Sequence, residues 1–242
     1  MGKDEHTISY FDENVPEYGD YRADAAIDFI NKYYTDGQSL IDIGCGTGNI
    51  LALFKNKTKI QHFIGLDVSQ NCLIKTQERV ACDVHVGSIF DDMLPGKISR
   101  RFDFAVMGAV LHHLVGKTRK ESKRYAMAAI YNALRLLKAD GYLIIYEPVF
   151  YPSGLMDILF YVKKSLVKVT SKRVNLFGVW NNIGAPVVSY YTNEQLLEMI
   201  NDAGDCKMVE IKMEETPLPL LWRLAGITRR VDTTILVKKA PL

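Results

Sequence analysis

A few short stretches of the sequence carry residues with chemistry to offer. Gly44-Cys45-Gly46-Thr47-Gly48 strips bulky side chains from a tight turn, so the backbone there can approach a ligand closely. Helical apolar spacing begins at Asn49, and the first N–H groups of a helix have no partners within it. Asp67 follows about 20 residues later, the spacing at which a carboxylate meets a ribose diol. His112 and His113 stand side by side. Imidazole titrates near neutrality and can take a proton from a hydroxyl or a carbon acid. Adjacent residues on one turn point in different directions, so at most one of the two is expected to face a substrate while the other packs or caps the turn. Glu147, closing an apolar run, is a second candidate for binding or for the base. Cys45, Cys72, Cys82 and Cys206 have neither C-x-x-C spacing nor a nearby histidine pattern, so no metal site is expected and the thiols read as free and reduced.

Regular elements must hold these residues in place. Leu40, Ile41 and Ile43 make a short buried strand that runs into the glycine turn, and a second strand over 61–66 delivers Asp67 at its carboxyl end. Ser69 is a plausible N-cap for a helix to Arg79, and a third strand over 82–86 ends at Gly87-Ser88-Ile89. A fourth strand over 102–107 leads into Gly108-Ala109-Val110-Leu111-His112-His113-Leu114. A long helix over 117–137 follows, and Ala139-Asp140-Gly141 turns the chain into a fifth strand over 142–146. Strand and helix alternate throughout, which implies a parallel sheet with right-handed crossovers. Thr192-Asn193-Glu194-Gln195 is a capping box for a helix stopped by Gly204, and two more strands are expected over 207–213 and 233–237. In an open α/β sheet, ligands gather at the carboxyl ends of the strands, where strand order reverses.

Asp42-Ile43-Gly44-Cys45-Gly46-Thr47-Gly48 followed by Gly65-Leu66-Asp67-Val68-Ser69 resembles the class I S-adenosylmethionine-dependent methyltransferases. The arrangement is similar to the quinone-biosynthesis and natural-product small-molecule enzymes of that family. A dinucleotide fingerprint is disfavoured, since Asn49 stands where its third glycine belongs. The resemblance is specific over 38–147 and does not cover 148–191. It implies a three-layer, Rossmann-like, doubly wound α/β fold with a mostly parallel seven-stranded sheet and helices on both faces, in one domain spanning 1–242. S-adenosyl-L-methionine is the implied cofactor. Asp67 would accept from both ribose hydroxyls, and backbone around Gly44, Cys45, Gly46 and Gly48 would hold the methionine portion. Asp42 would fix the loop or the amino group, and Met107 would offer a backbone carbonyl near the amino acid end. Val68 and Ile89 would sandwich the adenine. Ser88 stands where the family usually has an acid for the adenine amino group, a role Asp91 or Asp92 could take over. Residues 1–37 would form a helical cover, with Tyr18 to Arg22 approaching the methionine end. His112, His113 or Glu147 would then remove the acceptor's proton.

Residues 148–191 read as a lid that chooses the acceptor. Phe150, Tyr151, Phe160, Tyr161, Phe177, Trp180, Tyr190 and Tyr191 lie there, and Leu155, Leu159, Val162, Leu166 and Val169 form a helical stripe. Lys163, Lys164, Lys168, Lys172 and Arg173 against Asp157 make the segment basic. Charge runs are usually solvated faces, so these lysines are expected to face water. A basic, apolar lid also suits a hydrophobic acceptor, neutral or anionic, or peripheral contact with a membrane surface. Net charge is +2 over 242 residues, which does not suggest general nucleic-acid binding, and no Asn/Asp-Pro-Pro-Tyr/Phe signature for DNA amino groups is present. The polar start and the lack of a membrane-length apolar run suggest a soluble, cytoplasmic protein, monomeric or homodimeric. The expected activity is methyl transfer to oxygen or carbon of a quinone-, polyketide- or lipid-like molecule. The rivals are a noncatalytic cofactor-binding or scaffold protein on the same fold and a methyltransferase acting on RNA or protein.

Overall fold

The structure is a computed structural model that describes residues 23–169 and 187–241. The chain enters through α1 (Asp24–Tyr33), β1 (Ser39–Ile43), α2 (Asn49–Lys57), β2 (His62–Asp67), α3 (Gln70–Arg79) and β3 (Asp83–Val86). It continues through a short α4 (Leu94–Lys97), β4 (Phe102–Gly108), a 3-10 turn (Leu111–His113), α5 (Arg119–Leu136), β5 (Leu137–Tyr151) and α6 (Ser153–Val169). The last described elements are α7 (Asn193–Asp202), β6 (Cys206–Glu215), α8 (Leu220–Leu224) and β7 (Arg229–Lys239). The seven strands form one sheet in the order β3-β2-β1-β4-β5-β7-β6. β1 to β5 run parallel, and β7 lies antiparallel between β5 and β6. Strand order reverses between β1 and β4, so the expected ligand crevice opens at the carboxyl ends of those two strands.

All five residues of β1 are buried because both faces of the sheet are covered. Ile41 and Ile43 pack with β4, α5 and α7 residues such as Ala105, Ile130 and Met199. Leu40 packs on the other face with Phe29 of α1, Phe54 of α2 and Leu73 of α3. This is the doubly wound, mostly parallel arrangement expected from the alternating elements. Ser69 Oγ caps α3 by accepting from Cys72 N at 3.1 Å, and the box heading α7 is complete on both sides.

The structure departs from the sequence reading in three places. β5 does not start after a turn at 139–141; it runs straight through, with Asp140 in the left-handed region (φ 61°) and a register shift against β4. It also continues past Glu147, with Pro148 to Tyr151 paired to Asp232 to Arg229 of β7. The lid's helical part therefore begins only at Ser153. Finally, α6 is rotated from the expected stripe. Met156 and Phe160 are buried among its described side chains, packing with Phe150, Tyr190 and Ile227, whereas Val162 is exposed. Lys163 and Lys164 are half-buried rather than solvated. Lysine stems are apolar enough to lie along such a face. Tyr18 to Arg22, the rest of the N-terminal cover over 1–22, Lys172, Arg173, Phe177 and Trp180 lie outside the described residues, as do the side chains of Leu166, Lys168 and Val169. Among the described residues no helix is long and apolar enough to cross a membrane.

Candidate functional site

The turn between β1 and α2 is built from its own hydrogen bonds. Gly44 N and Cys45 N donate to Leu66 O at 2.7 and 3.1 Å, tying the turn to the end of β2. Gly44, Gly46 and Gly48 all have positive φ. At Gly48 a Cβ would come within 2.9 Å of Thr76 Cγ2 and at Gly44 within 2.5 Å of Val110, so the turn is closed to larger residues at both ends. At Gly46 a Cβ would meet nothing within 4 Å among the described residues. None of the described residues fills the space over the middle of the turn. Thr76 Oγ1 donates to Gly46 O at 2.8 Å, and Arg79 donates to Thr47 O at 2.9 Å, so α3 fixes the turn from behind.

Two carboxylates flank this turn. Asp67 Oδ2 accepts from Gly46 N at 2.8 Å and Oδ1 from Ser69 N at 2.9 Å. Asp42 shares the Leu40 face of β1 and is 3% exposed, and among the described residues its buried Oδ2 has no hydrogen-bond partner. Burial pushes its pKa up to about 7, with the nearby Asp67 charge adding to the shift. Cys45 sits beside Gly65, where a Cβ would stand 2.9 Å from its sulfur. Burial, together with Asp42 and Asp67, raises that thiol well above the ordinary range, so it is a packing residue and no nucleophile.

On the adenine side of the expected site, Val68 and Ser88 are half-buried at the strand ends. Ile89 is 4% exposed and packed in the α5-side core, with its carbonyl accepting from Asn132 Nδ2 at 2.9 Å. Asp91 is engaged locally, accepting from Met93 N at 3.1 Å and from Lys97 at 3.3 Å, while Asp92 is exposed. Met107 is fully buried between Ile43 and Ile145, leaving only its backbone to offer.

The histidine turn meets β5 at the opposite wall. After Gly108, Ala109 takes a positive φ of 56° and donates to Tyr146 O at 2.8 Å, which swings the chain into the 3-10 turn. That places His112 Nδ1 2.6 Å from Glu147 Oε2, with both side chains buried. The other oxygen, Oε1, accepts from Leu111 N at 2.7 Å. An ionised Glu147 therefore selects the His112 tautomer that carries its proton on Nδ1 and leaves a lone pair on Nε2. His113 lies 4.2 Å from His112 between ring centroids. Burial, helped by the Lys163 ammonium and the adjacent His112 ring, holds His113 well below the usual histidine range, so it is neutral at physiological pH. Sequence reasoning singled out His112 and Glu147 separately but not their pairing.

Three further residues complete the wall. Tyr190 stacks on His112 at 5.0 Å and meets Phe150 edge-on at 4.6 Å. Ser189 N donates to His112 O at 2.8 Å. Arg119, unmarked in the sequence at the head of a polar helix, knits the wall together. It donates to Asp157 Oδ1 at 2.7 Å, to Ser189 Oγ at 2.5 Å and to Tyr190 O at 2.5 Å, and lies over the Tyr191 ring. α6 and the segment before α7 are thereby fastened over the histidine turn.

Comparison with known proteins agrees with this geometry. Residues 41–143 match the family described as Methyltransferase domain. The chain is 25% identical over 215 residues to a carboxy-S-adenosyl-L-methionine synthase of Nautilia profundicola, spanning 83% of this chain and 85% of that one. Its fold is similar to a SAM-dependent methyltransferase of Methanosarcina mazei (TM-score 0.60, 16% identity, 88% of this chain and 98% of that one). It is similar to the same degree to the N-methyltransferase NodS of Bradyrhizobium japonicum in complex with S-adenosyl-L-homocysteine (TM-score 0.60, 11% identity, 97% and 98%).

Proposed function

Because the chain carries a class I S-adenosylmethionine-dependent methyltransferase domain, we propose that it methylates an oxygen or carbon nucleophile of an apolar small molecule, quinone-, polyketide- or lipid-like, entering beneath α6. The observation that carries this reading is the buried His112–Glu147 pair under an aromatic wall of Phe150, Phe160 and Tyr190. The chain is read as one domain over 1–242, working in the cytoplasm as a monomer or homodimer, with residues 1–37 as a cover and α6 with the residues up to 191 as a lid.

The residues present fit the cofactor. The open space over Gly46 suits the methionine portion, with Gly44, Cys45 and Gly48 shaping the turn around it. The buried Oδ2 of Asp42 suits a positive group, and the Asp67 carboxylate at the end of β2 suits the ribose hydroxyls. Val68, Ser88, Ile89 and the Met107 backbone complete the assigned set. S-adenosylmethionine supplies a methyl already made electrophilic by its sulfonium. What remains for the protein is alignment and proton removal. His112 Nε2 takes the acceptor's proton, and Glu147, both oxygens engaged, orients the ring instead of acting as the base itself. His113 keeps the turn packed and neutral.

Asp42 makes cofactor binding pH-dependent. Its folded pKa of about 7 lies above the ordinary carboxylate value, so the folded, ligand-free protein holds a proton that the unfolded chain releases from about pH 4 upward. Ligand-free stability from this group is therefore present at low pH and falls as pH rises toward 7. A cationic group placed against ionised Asp42 reverses the trend for binding. Affinity for S-adenosylhomocysteine should weaken by up to about tenfold per pH unit below 7 and level off above about pH 8. Calorimetric titration across that range should show this slope in the wild type and none in Asp42→Asn.

Metabolite extract incubated with methyl-labelled S-adenosylmethionine tests the activity. Label should enter an organic-soluble small molecule, read by mass spectrometry. Label confined to RNA or protein would overturn the acceptor class, and cofactor binding without any product would favour a scaffold. A second reading comes from the Nautilia relative, a synthase whose name describes a carboxylated cofactor. On that reading the mass increase would appear on the cofactor itself.

A further inference from the structure

We propose that Lys163 recognises a carboxylate on the acceptor, so that the molecule taken beneath α6 is an apolar acid and not a neutral compound. The inference rests on the reading of that space as the acceptor side. Lys163 follows Met156 and Phe160 on the inward-turning face of α6, at the three- and four-residue intervals that share one side of a helix. It is half-buried, and its charge is felt by His113 on the histidine turn below. Among the described residues no carboxylate lies within ion-pair distance of it.

The neighbouring charges are already committed. Asp157, one turn and a half back on the same helix, holds Arg119 at 2.7 Å. Glu147 is taken by His112 and Leu111 N. Lys164 donates to Gly116 O and lies over the Phe160 ring. His113 is neutral and accounts for no counter-charge. The described wall thus holds Arg119, Lys163 and Lys164 against Asp157 and Glu147, a surplus of positive charge in a partly dehydrated place.

A half-dehydrated ammonium is destabilised until an anion reaches it, and burial accordingly lowers the Lys163 pKa to about 8. The group is still mostly charged at neutral pH. A carboxylate arriving there recovers the lost solvation in a medium where attraction is stronger than in water, whereas a neutral group of the same shape recovers nothing. The side chain therefore discriminates by charge while Phe160 and Tyr190 accept the apolar body. An exposed lysine would give little selectivity, because water would screen it.

Benzoate and benzamide are suitable probes, matched in shape and differing in charge. With the protein saturated by S-adenosylhomocysteine at neutral pH, benzoate should bind at least about tenfold more tightly than benzamide in calorimetric or ligand-observed NMR titrations. Lys163→Met should abolish the difference, and Lys163→Arg should retain most of it. Equal affinities in the wild type, no saturable benzoate binding, or a preference that survives Lys163→Met would each overturn the proposal. S-adenosylhomocysteine affinity, read in the same samples, should not change in either variant. A benzoate preference in a protein that transfers no methyl would sink the methyl-transfer reading and leave this site standing.

Discussion

Replacing His112 with alanine should slow turnover by about 10²–10⁴-fold while leaving cofactor affinity near the wild-type value, the range expected when a positioned general base is lost. A phenol or enol must shed its proton as the methyl arrives, and on the proposed reading the lone pair on His112 Nε2 takes it. The preparation comes from Glu147, 2.6 Å from Nδ1 and itself fixed by Leu111 N. Glu147→Gln should therefore be nearly as slow as His112→Ala, since an amide can present an NH₂ to Nδ1 and favour the wrong tautomer. The two changes together should cost little more than either alone, because they remove one device. His113→Ala should stay within a few-fold of wild type in kcat. Single-turnover rates of the four variants check the assignment. A His113→Ala variant as slow as His112→Ala, with His112→Ala normal, would exchange the two roles.

The parts of this molecule that were legible in the sequence are those whose physics is local. The glycine turn is a contiguous segment with its own hydrogen bonds to the next strand, and Ser69 and Thr192 announce their caps within three residues. What was not legible depends on partners distant in the chain. β5 extends to Tyr151 because β7 supplies a matching antiparallel edge some 80 residues later, about 14 Å of added pairing that no periodicity in 148–151 could disclose. The pairing of His112 with Glu147 follows from the same cause: parallel register sets Gly108 against Tyr146, so the turn after one strand falls beside the end of the other.

Charge was the more misleading signal on the lid. Reading the lysines of α6 as a solvated face put Val162 inward and Lys163 outward, and the structure has them the other way round. Helical spacing alone leaves the rotation of a helix open when apolar residues lie at 155, 156, 159 and 160 together. The choice is made by what the helix lies against, here Phe150 from β5, Tyr190 from the segment before α7 and Ile227 from the loop between α8 and β7. Arg119 escaped notice for a related reason. A cation at a helix head looks unremarkable until Asp157, Ser189 and Tyr190 are brought around it.

Asp67→Ala should weaken S-adenosylhomocysteine binding by about 1.5–3 kcal/mol, or about 10–150-fold, the scale of hydrogen bonds to a charged group. Two losses contribute. One is the ribose contact; the other is the tether at 2.8 Å from Gly46 N, which shapes the glycine turn before any ligand arrives. An analogue separates them. Adenosine should bind the wild type more tightly than 2′,3′-dideoxyadenosine, and the alanine variant should bind the two alike, leaving any remaining deficit to the turn. Asp67→Asn keeps an acceptor for one contact and loses the charge, so it should fall between. The substitution also reaches Asp42, whose pKa Asp67 helps to raise. Removing that negative neighbour lets Asp42 ionise more easily, so the acid edge of the binding profile should move to lower pH in Asp67→Ala. The sign is fixed by electrostatics, since one carboxylate makes a nearby one harder to ionise. Unchanged affinity, an unchanged acid edge and an undiminished preference for the ribose hydroxyls would together remove Asp67 from the cofactor site.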